Sequence, residues 1–237
     1  MSAGSAVDDA GGPAAPAARV GIRIESLSDM VFGLALSIGS LVLVGKAVQS
    51  GEDLGLNVLL FGFGFLIILM TWLRYSRTMA VLPVEVPFAL LINCVLLFLV
   101  ALEPYLFYVL WSANVPGLTA AATAAYGLDI GAMLFSQAAL AQLVLREDKA
   151  RQFGQRPLGP SLRGRFRSAA RTNAVMGCVY VVSALPVFWV DTPIGQLRYY
   201  LWGVAFLFSA TGLASGVARD NAPDPAGPQP APVSPSQ

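Results

Sequence analysis

Residues 23–44 read RIESLSDMVFGLALSIGSLVLV, a strongly apolar stretch that begins with three charged side chains. These are Arg23, Glu25 and Asp29, and the next charged residue is Lys46. A secretory signal carries its positive charge before the apolar run, without an acid pair inside it. A soluble amphipathic helix would keep polar residues along its whole length. The stretch therefore predicts a membrane helix whose first turns carry charges for a separate purpose.

The composition of the chain predicts an integral membrane protein. Of the 237 residues, 56% are hydrophobic and 12% are charged, and the mean hydropathy is +0.65. Soluble domains carry about 25% charged residues. Histidine is absent, which excludes histidine acid–base catalysis, histidine metal ligands and histidine pH sensing. Cys94 and Cys178 lie inside apolar runs, so we expect free thiols rather than a disulfide.

The spacing of apolar runs predicts six membrane-spanning helices. A spanning helix needs roughly 20 mostly apolar residues. Six segments meet this requirement, at about 26–48, 55–75, 86–111, 117–144, 169–190 and 194–217. We therefore predict an all-α membrane domain over residues 20–218. We expect the flanking segments to be disordered, because residues 1–19 are rich in Ala, Gly and Pro and residues 219–237 are rich in Pro.

The distribution of lysine and arginine predicts the orientation of these helices. If the N-terminal side is inside, the inner loops and termini hold 13 of the 15 basic residues, and the outside holds Lys46 and Arg198. The cytoplasmic side of membrane proteins carries such an excess. We therefore predict six spans with both termini in the cytoplasm, in a multi-pass protein of the cell membrane. An odd number of spans would divide the basic segments between the two sides.

The long inner loop between the fourth and fifth segments, residues 146–167, is rich in arginine. Such clusters bind anionic lipid or nucleic acid in some proteins. Basic residues on the cytoplasmic side are nevertheless the rule for membrane proteins. We interpret this loop as ordinary inner charge in contact with membrane lipids, and we expect no nucleic acid partner.

Four acidic residues lie in or directly beside the predicted spans: Glu25, Asp29, Glu103 and Asp129. An ionisable group at a helix centre costs about 2.5–3.5 kcal/mol on insertion scales, so each needs a partner or a function. Glu103 lies near the outer end of its helix, where it can reach the headgroups. Asp129 lies near the middle of its helix and belongs either to an ion pathway or to a pair with another helix, and we favour pairing. Neutral polar residues accompany them, namely Asn93, Gln137 and Asn173.

No constellation of catalytic residues is recognisable in the sequence. Without histidine, and without a Ser–Lys spacing, no nucleophile–base pair is predicted. The glycines of GFGFL at 62–66 lie within an apolar helix rather than between a strand and a helix, so they do not indicate a phosphate loop. We predict a protein that is not an enzyme and that uses neither a metal nor another cofactor.

The first helix has two different faces on a helical wheel of 100° per residue. Four residues fall within an arc of about 100°, namely Leu34, Ser37, Ile38 and Leu41. Glu25 and Asp29 are four residues apart and share a face roughly opposite that stripe. We expect the two acids to be buried among neighbouring helices. The leucine stripe would then face either lipid or an axis shared by several copies.

The sequence RIESLSDMVFGLALS resembles the first-helix signature of the transmembrane protein 175 family of potassium channels. In that signature an arginine is followed, after three residues, by Phe-Ser-Asp and an apolar helix. Arg23, Ser28 and Asp29 match it, and Leu27 replaces the phenylalanine. A looser resemblance covers the rest of the chain: six spans, a Trp late in the second helix, an Asn early in the third and a Pro ending that helix, at Trp72, Asn93 and Pro104.

The resemblance implies a homotetramer in which the first helix of each copy lines a passive, potassium-preferring pore. A reentrant loop with a selectivity filter would be absent. Leu34 would form the narrowest ring, and Ser37 would form a hydroxyl layer where threonine is common in the family. Ile38 and Leu41 would continue the lining. A hydrophobic ring can gate by dewetting, and hydroxyls beside it can organise a hydrated ion, so permeant K⁺ is the only small ligand expected.

The resemblance also implies a role for the charged start of the helix. Arg23, Ser28 and Asp29 would form a hydrogen-bonded cluster that joins the first helix to its neighbours. The charges that open the helix would then be anchors between helices rather than ligands of the ion.

Two other functions stay open from the residues themselves. A proton-coupled or small-solute transporter would use Asp129 or Glu103 as its carrier. A non-conducting membrane scaffold would bind a partner or anionic lipid through the basic residues between 146 and 171.

Overall fold

The computed structural model describes residues 14–44, 51–82, 87–112, 116–150, 158–192 and 195–220. These residues form six α-helices: α1 (Ala14–Val44), α2 (Gly51–Met79), α3 (Pro87–Ser112), α4 (Pro116–Ala150), α5 (Pro160–Ser183) and α6 (Leu197–Asp220). Between α5 and α6 lie a single 3₁₀ turn, Pro186–Phe188, and an antiparallel hairpin of β1 (Asp191–Thr192) and β2 (Gly195–Gln196). Apart from this small hairpin, the predicted all-α fold class is confirmed.

Three segments among the described residues are long and apolar enough to cross a bilayer. They are Asn57–Met79 in α2, Phe88–Leu110 in α3 and Leu118–Ala150 in α4. The chain is therefore a membrane protein. The number of six spans and the cytoplasmic position of the termini stay predictions.

The boundaries of α5 differ from the predicted segment at 169–190. The helix begins at Pro160 and ends at Ser183. Proline suits the first helical turn, since its φ is already helical and its missing N–H has no role there. Phe166 and Ala170 are buried, so the arginine-rich stretch is helical because one of its sides packs against α4. A search for apolar runs does not detect a polar helix extension of this kind.

The ends of α1 and α6 also correct the expected extent of disorder. α1 begins at Ala14, so residues 14–19 are helical, and α6 continues through residues 219 and 220. The segment AAPAAR at 14–19 is rich in alanine, the best helix former. Residues 1–13 and 221–237, where disorder was also predicted, lie outside the described residues.

The helix α4 lies at the centre of the bundle. It packs along α3 and α5 and also contacts α2, whereas α1 packs against α2 and α3, and α6 packs against α5. Among the described residues, the apolar side chains with no exposed surface are Leu96 and Val100 of α3 and Tyr126 of α4. The position of α1 at the edge of the bundle leaves one of its sides uncovered by its own chain.

The helices α4 and α5 approach closely where glycines face each other. A Cβ added to Gly131 would lie 2.6 Å from Cγ2 of Val181 and 3.2 Å from the carbonyl oxygen of Gly177. One turn earlier, a Cβ on Gly127 would lie 3.3 Å from the carbonyl oxygen of Tyr180. The spacing of Gly127 and Gly131 is the small-residue pattern that lets membrane helices approach to backbone contact.

We predict that Gly131→Ala lowers the midpoint of thermal unfolding in detergent. The added methyl group would overlap Val181 and crowd a backbone carbonyl that cannot move away, and overpacking of this kind costs typically about 1–3 kcal/mol. Gly203→Ala in α6 is the matched control, because nothing lies within 4 Å of a Cβ there. Intrinsic fluorescence during heating measures both midpoints. Equal midpoints for the two variants would contradict the prediction.

Candidate functional site

The helix α1 has one exposed and one buried side. The exposed side carries Leu27, Met30, Leu34, Ser37 and Ile38, and the Leu34 side chain is 61% exposed. The buried side contacts α2 and α3 and carries Ser28, Phe32 and Ala35, each at most 2% exposed. Three of the four predicted pore-lining residues therefore share the uncovered side. Leu41 also lies in α1, but its side chain is outside the described residues.

Two serines on the exposed side of α1 bond to their own helix. The Ser37 hydroxyl donates to the carbonyl oxygen of Gly33 at 2.8 Å, and the Ser40 hydroxyl donates to the carbonyl oxygen of Ser37 at 2.7 Å. A hydroxyl that donates its one proton to the backbone keeps its oxygen lone pairs as acceptors. These side chains can therefore face a cation or the hydrogens of its water shell.

Two hydrogen bonds join α1 to α2, one on the buried side of α1 and one at its edge. The Tyr75 hydroxyl donates to Oγ of Ser28 at 2.7 Å, and Nε1 of Trp72 donates to Oδ1 of Asp29 at 2.9 Å. The rings of Phe32 and Tyr75 also pack at a centroid distance of 5.5 Å. The Ser28 hydroxyl itself donates a hydrogen bond of 2.8 Å to the carbonyl oxygen of Ile24. The rotation of α1 about its axis is thereby fixed relative to α2.

The third helix contributes to the same cluster through Asn93. This buried amide lies within hydrogen-bond reach of the Tyr75 hydroxyl, and its Oδ1 has no partner among the described residues. Trp72 and Asn93, the two polar positions of the looser sequence resemblance, thus both lie at the contact with α1. Tyr75 was not identified from the sequence, although its place one turn after Trp72 was a usable signal.

The expected positions of the charged residues of α1 need a correction. Glu25 and Asp29 were expected to be buried among neighbouring helices, but both side chains are exposed. The buried side passes through Ser28, Phe32 and Ala35 instead, because small and aromatic side chains pack against α2 and α3. Asp29 lies at the edge of that side, where Trp72 can reach it. Arg23 is exposed as well, and no bond among the described residues joins it to Ser28 or Asp29.

Glu103 lies inside the bundle rather than at the headgroups. It is 2% exposed, and its Oε1 accepts a hydrogen bond of 3.1 Å from the hydroxyl of Tyr126 in α4. Gly64 in α2 lies beside it, since a Cβ there would be in ordinary van der Waals contact, 3.5 Å from that same oxygen. Pro104, which was expected to end the helix, lies within α3, which continues to Ser112.

Asp129 lies one turn after Tyr126 in α4 and is 3% exposed. Neither of its carboxyl oxygens has a hydrogen-bond partner among the described residues. A buried polar group without a partner is costly in an apolar surrounding, and such a residue within a membrane helix is a candidate functional residue.

The neutral polar residues of the interior connect the other helices. Nε2 of Gln137 donates to the carbonyl oxygen of Thr71 at 3.0 Å, and Nδ2 of Asn173 donates to Oε1 of Gln137 at 3.5 Å. These bonds join α2, α4 and α5 at one depth. Arg74, one of the 13 basic residues predicted on the inner side, donates to the backbone carbonyl and the hydroxyl of Ser209 in α6. A small cavity beside it is lined by Thr71, Arg74, Tyr180, Phe206 and Ser209, among others.

Comparisons with known proteins identify the fold. No protein-family model and no curated protein matches the chain. Among solved structures, the chain is similar to the crystal structure of a lysosomal potassium-selective channel TMEM175 homologue from Chamaesiphon minutus, with 18% sequence identity and a TM-score of 0.55. The similarity covers 86% of this chain and 100% of that one. The fold implied by the resemblance of the first helix is therefore confirmed.

We predict that Tyr75→Phe lowers the midpoint of thermal unfolding in detergent. The substitution removes the hydroxyl that donates a hydrogen bond from Tyr75 in α2 to Ser28 in α1. Ser28 is then buried with one acceptor site unused, while the ring contact with Phe32 is kept. Hydrogen bonds between membrane helices contribute about 0.6 kcal/mol on average. Tyr105→Phe, which removes a hydroxyl from a side chain that is 61% exposed on α3, is the control. The prediction fails if both variants unfold at the same temperature.

Proposed function

We propose that this chain is one subunit of a passive, potassium-preferring cation channel of the transmembrane protein 175 family. The pore would be lined by the exposed side of α1 from each of four copies. The observation that carries the proposal is the presence of exposed serines beside Leu34 on this side of α1, in a chain that shares its fold with a potassium-selective channel homologue. The proposal requires no enzyme activity and no cofactor, with K⁺ as the permeant ion.

The exposed side of α1 is poorly suited to contact lipid. Between its apolar side chains it carries serines at positions 26, 37 and 40, and polar groups in contact with hydrocarbon are costly. The exposed side of α3 is different, since its large side chains include Phe88, Leu91, Val95 and Phe98. A surface of the first kind is better matched to water or to a second copy of α1.

The order of side chains along this face supports a constriction followed by a hydroxyl layer. Leu34 is 61% exposed compared with 40% for Ile38, and Ser37 follows Leu34 one turn later with an acceptor oxygen. Ile38 and Leu41 would continue the lining. Leucine rings can close a pore to water by dewetting, while hydroxyl oxygens can take part in arranging the shell of a hydrated ion.

One exposed side per chain requires several copies around an axis for a central pore. Closed cyclic symmetry is the usual arrangement of identical subunits, and the proposal is a homotetramer in the cell membrane with both termini in the cytoplasm. The bonds of Ser28 and Asp29 to α2 support a role for the signature residues as anchors that keep Leu34 turned to the axis. Arg23, which is exposed at the start of the helix, would belong to the same anchor as Ser28 and Asp29.

We predict that Leu34→Ala changes potassium flux into liposomes about tenfold or more, with sodium flux measured in parallel. Removing the leucine side chains would widen the ring and relieve dewetting, and a tenfold change corresponds to about 1.4 kcal/mol in the barrier. Leu91→Ala in α3 is the matched control, since its side chain is 58% exposed compared with 61% for Leu34. It should leave the flux unchanged.

The three outcomes of this experiment are distinct. Flux that favours potassium and responds to Leu34→Ala alone would support both the pore and its constriction. Equal responses of the two variants would contradict a pore through α1, and the absence of flux in all three proteins would contradict an open channel and favour the scaffold function.

A second candidate function is proton-coupled or small-solute transport through Asp129. The buried carboxyl without a partner is the observation that favours it. In this case Asp129→Asn would abolish uptake driven by a proton gradient, whereas Leu34→Ala would have little effect. If Asp129 has a structural role in a channel, we expect Asp129→Asn to keep passive flux within about twofold, since it preserves shape and removes only the cost of the buried charge. Flux under imposed pH and potassium gradients separates the two functions.

A further inference from the structure

The exposed side of α5 changes from charged to apolar along a single row. Arg163, Arg167 and Arg171 are followed at intervals of three or four residues by Val175, Cys178 and Val182. Residues at this spacing lie on the same side of a helix. Arg163 is half-buried, and the other members of the row are exposed. The boundary between the arginines and the apolar residues falls between Arg171 and Val175, one helical turn apart.

The change of character on α5 marks the edge of the apolar belt. The neighbouring helix α4 shows the same change, from exposed Leu128 and Phe135 to exposed Arg146 and Lys149. Beyond this edge the two helices continue side by side, with buried Val144 and Phe166 between them. The arginine-rich part of α5 is therefore a packed helical extension that lies at the level of the lipid headgroups and beyond them, on the side away from the apolar belt.

A carboxylate clamp fixes the start of this extension. Oδ1 of Asp148, at the end of α4, accepts a hydrogen bond of 2.7 Å from the backbone N–H of Leu158. Oδ2 accepts one of 2.7 Å from Nε of Arg163, and Nη2 of Arg163 also lies 2.7 Å from it. The charge of Arg163 is therefore balanced within the protein. Arg167 and Arg171 form no ion pair among the described residues.

We infer that Arg167 and Arg171 bind the phosphate group of an anionic phospholipid, with the lipid chains lying along Val175, Cys178 and Val182. A guanidinium offers donors that match phosphate oxygens in pairs. The arginines continue the same row as the apolar residues, so one molecule with an anionic head and apolar chains fits the whole row. A free phosphate ion would leave the apolar half of the row unused. This inference is independent of ion conduction.

The interior hydrogen bonds identify Arg77 in α2 as a control position at the same depth as Arg167. Thr71 in α2 and Asn173 in α5 both bond to Gln137 and so lie at a common depth. Arg77 and Arg167 are each six residues from these positions, towards the same end of the bundle, and both are exposed. Arg77→Gln therefore removes the same charge at the same depth from a helix that also continues with exposed apolar residues, Leu66 and Leu59, but holds one exposed arginine at this level where α5 holds two.

The test is the binding of phosphatidylglycerol to the purified full chain in detergent, with phosphatidylcholine as the uncharged comparison and native mass spectrometry as the readout. A basic residue near an anionic surface contributes about a fivefold change in affinity. We expect Arg167→Gln and Arg171→Gln each to weaken phosphatidylglycerol binding by about that factor. Arg77→Gln should leave the binding unchanged, and Arg171→Lys should keep part of it.

Three results would overturn the inference. Equal weakening by Arg77→Gln would show that total charge rather than the row decides binding. Displacement of the lipid by millimolar inorganic phosphate would indicate a site for a soluble anion. Equal binding of phosphatidylcholine would show that the net negative charge of the lipid head is not needed for binding. Circular dichroism checks that each variant keeps its helical content, and the four single substitutions at exposed positions allow the comparison even if one variant misfolds.

Discussion

The hydrogen bond from Tyr75 to Ser28 is the contact on which the proposed function depends most. The backbone of a membrane helix satisfies its own polar groups, so it does not determine which side of the helix faces its neighbours. Side-chain contacts must do this, and for α1 they are the bonds of Tyr75 and Trp72 and the packing of Phe32. Rotating α1 by half a turn would bury Leu34 and expose Ser28. Which side of α1 is exposed is thus determined by α2 as much as by α1 itself.

Different helices of the bundle provide its rigid interior and its exposed surface. α4 and α5 are held at backbone distance by Gly131 and Gly177, and polar side chains such as Gln137 add bonds to α2. Membrane helices gain little from hydrophobic burial against each other, so close packing and such bonds provide their association. α1 has no glycine contacts of this kind among its described residues, and no helix in the part of the chain that the structure describes covers its exposed side. It rests on a rigid support and can present one side to another copy.

Much of the fold was predictable from the sequence because apolar content is a strong signal. The apolar runs placed α2 and α3 to within a few residues, and the helical spacing of Leu34, Ser37 and Ile38 predicted that they share a side. The arginine-rich start of α5 was missed because its helical state depends on packing against α4, through Phe166 and Ala170. The acids of α1 were misplaced for a related reason: the wheel gives relative angles, but the buried side is chosen by partners such as Tyr75.

The serine bonds of α1 have a consequence for any ion that passes along this face. Because Ser37 and Ser40 donate their protons to backbone carbonyls, the surface that they present has oxygen dipoles with the negative end outwards. Discrimination against anions would then arise from neutral dipoles rather than from fixed carboxylates. The serine layer itself has no titrating group and little long-range field for salt to screen, so its contribution to the choice between cations and anions would be the same across a wide range of acidity and ionic strength.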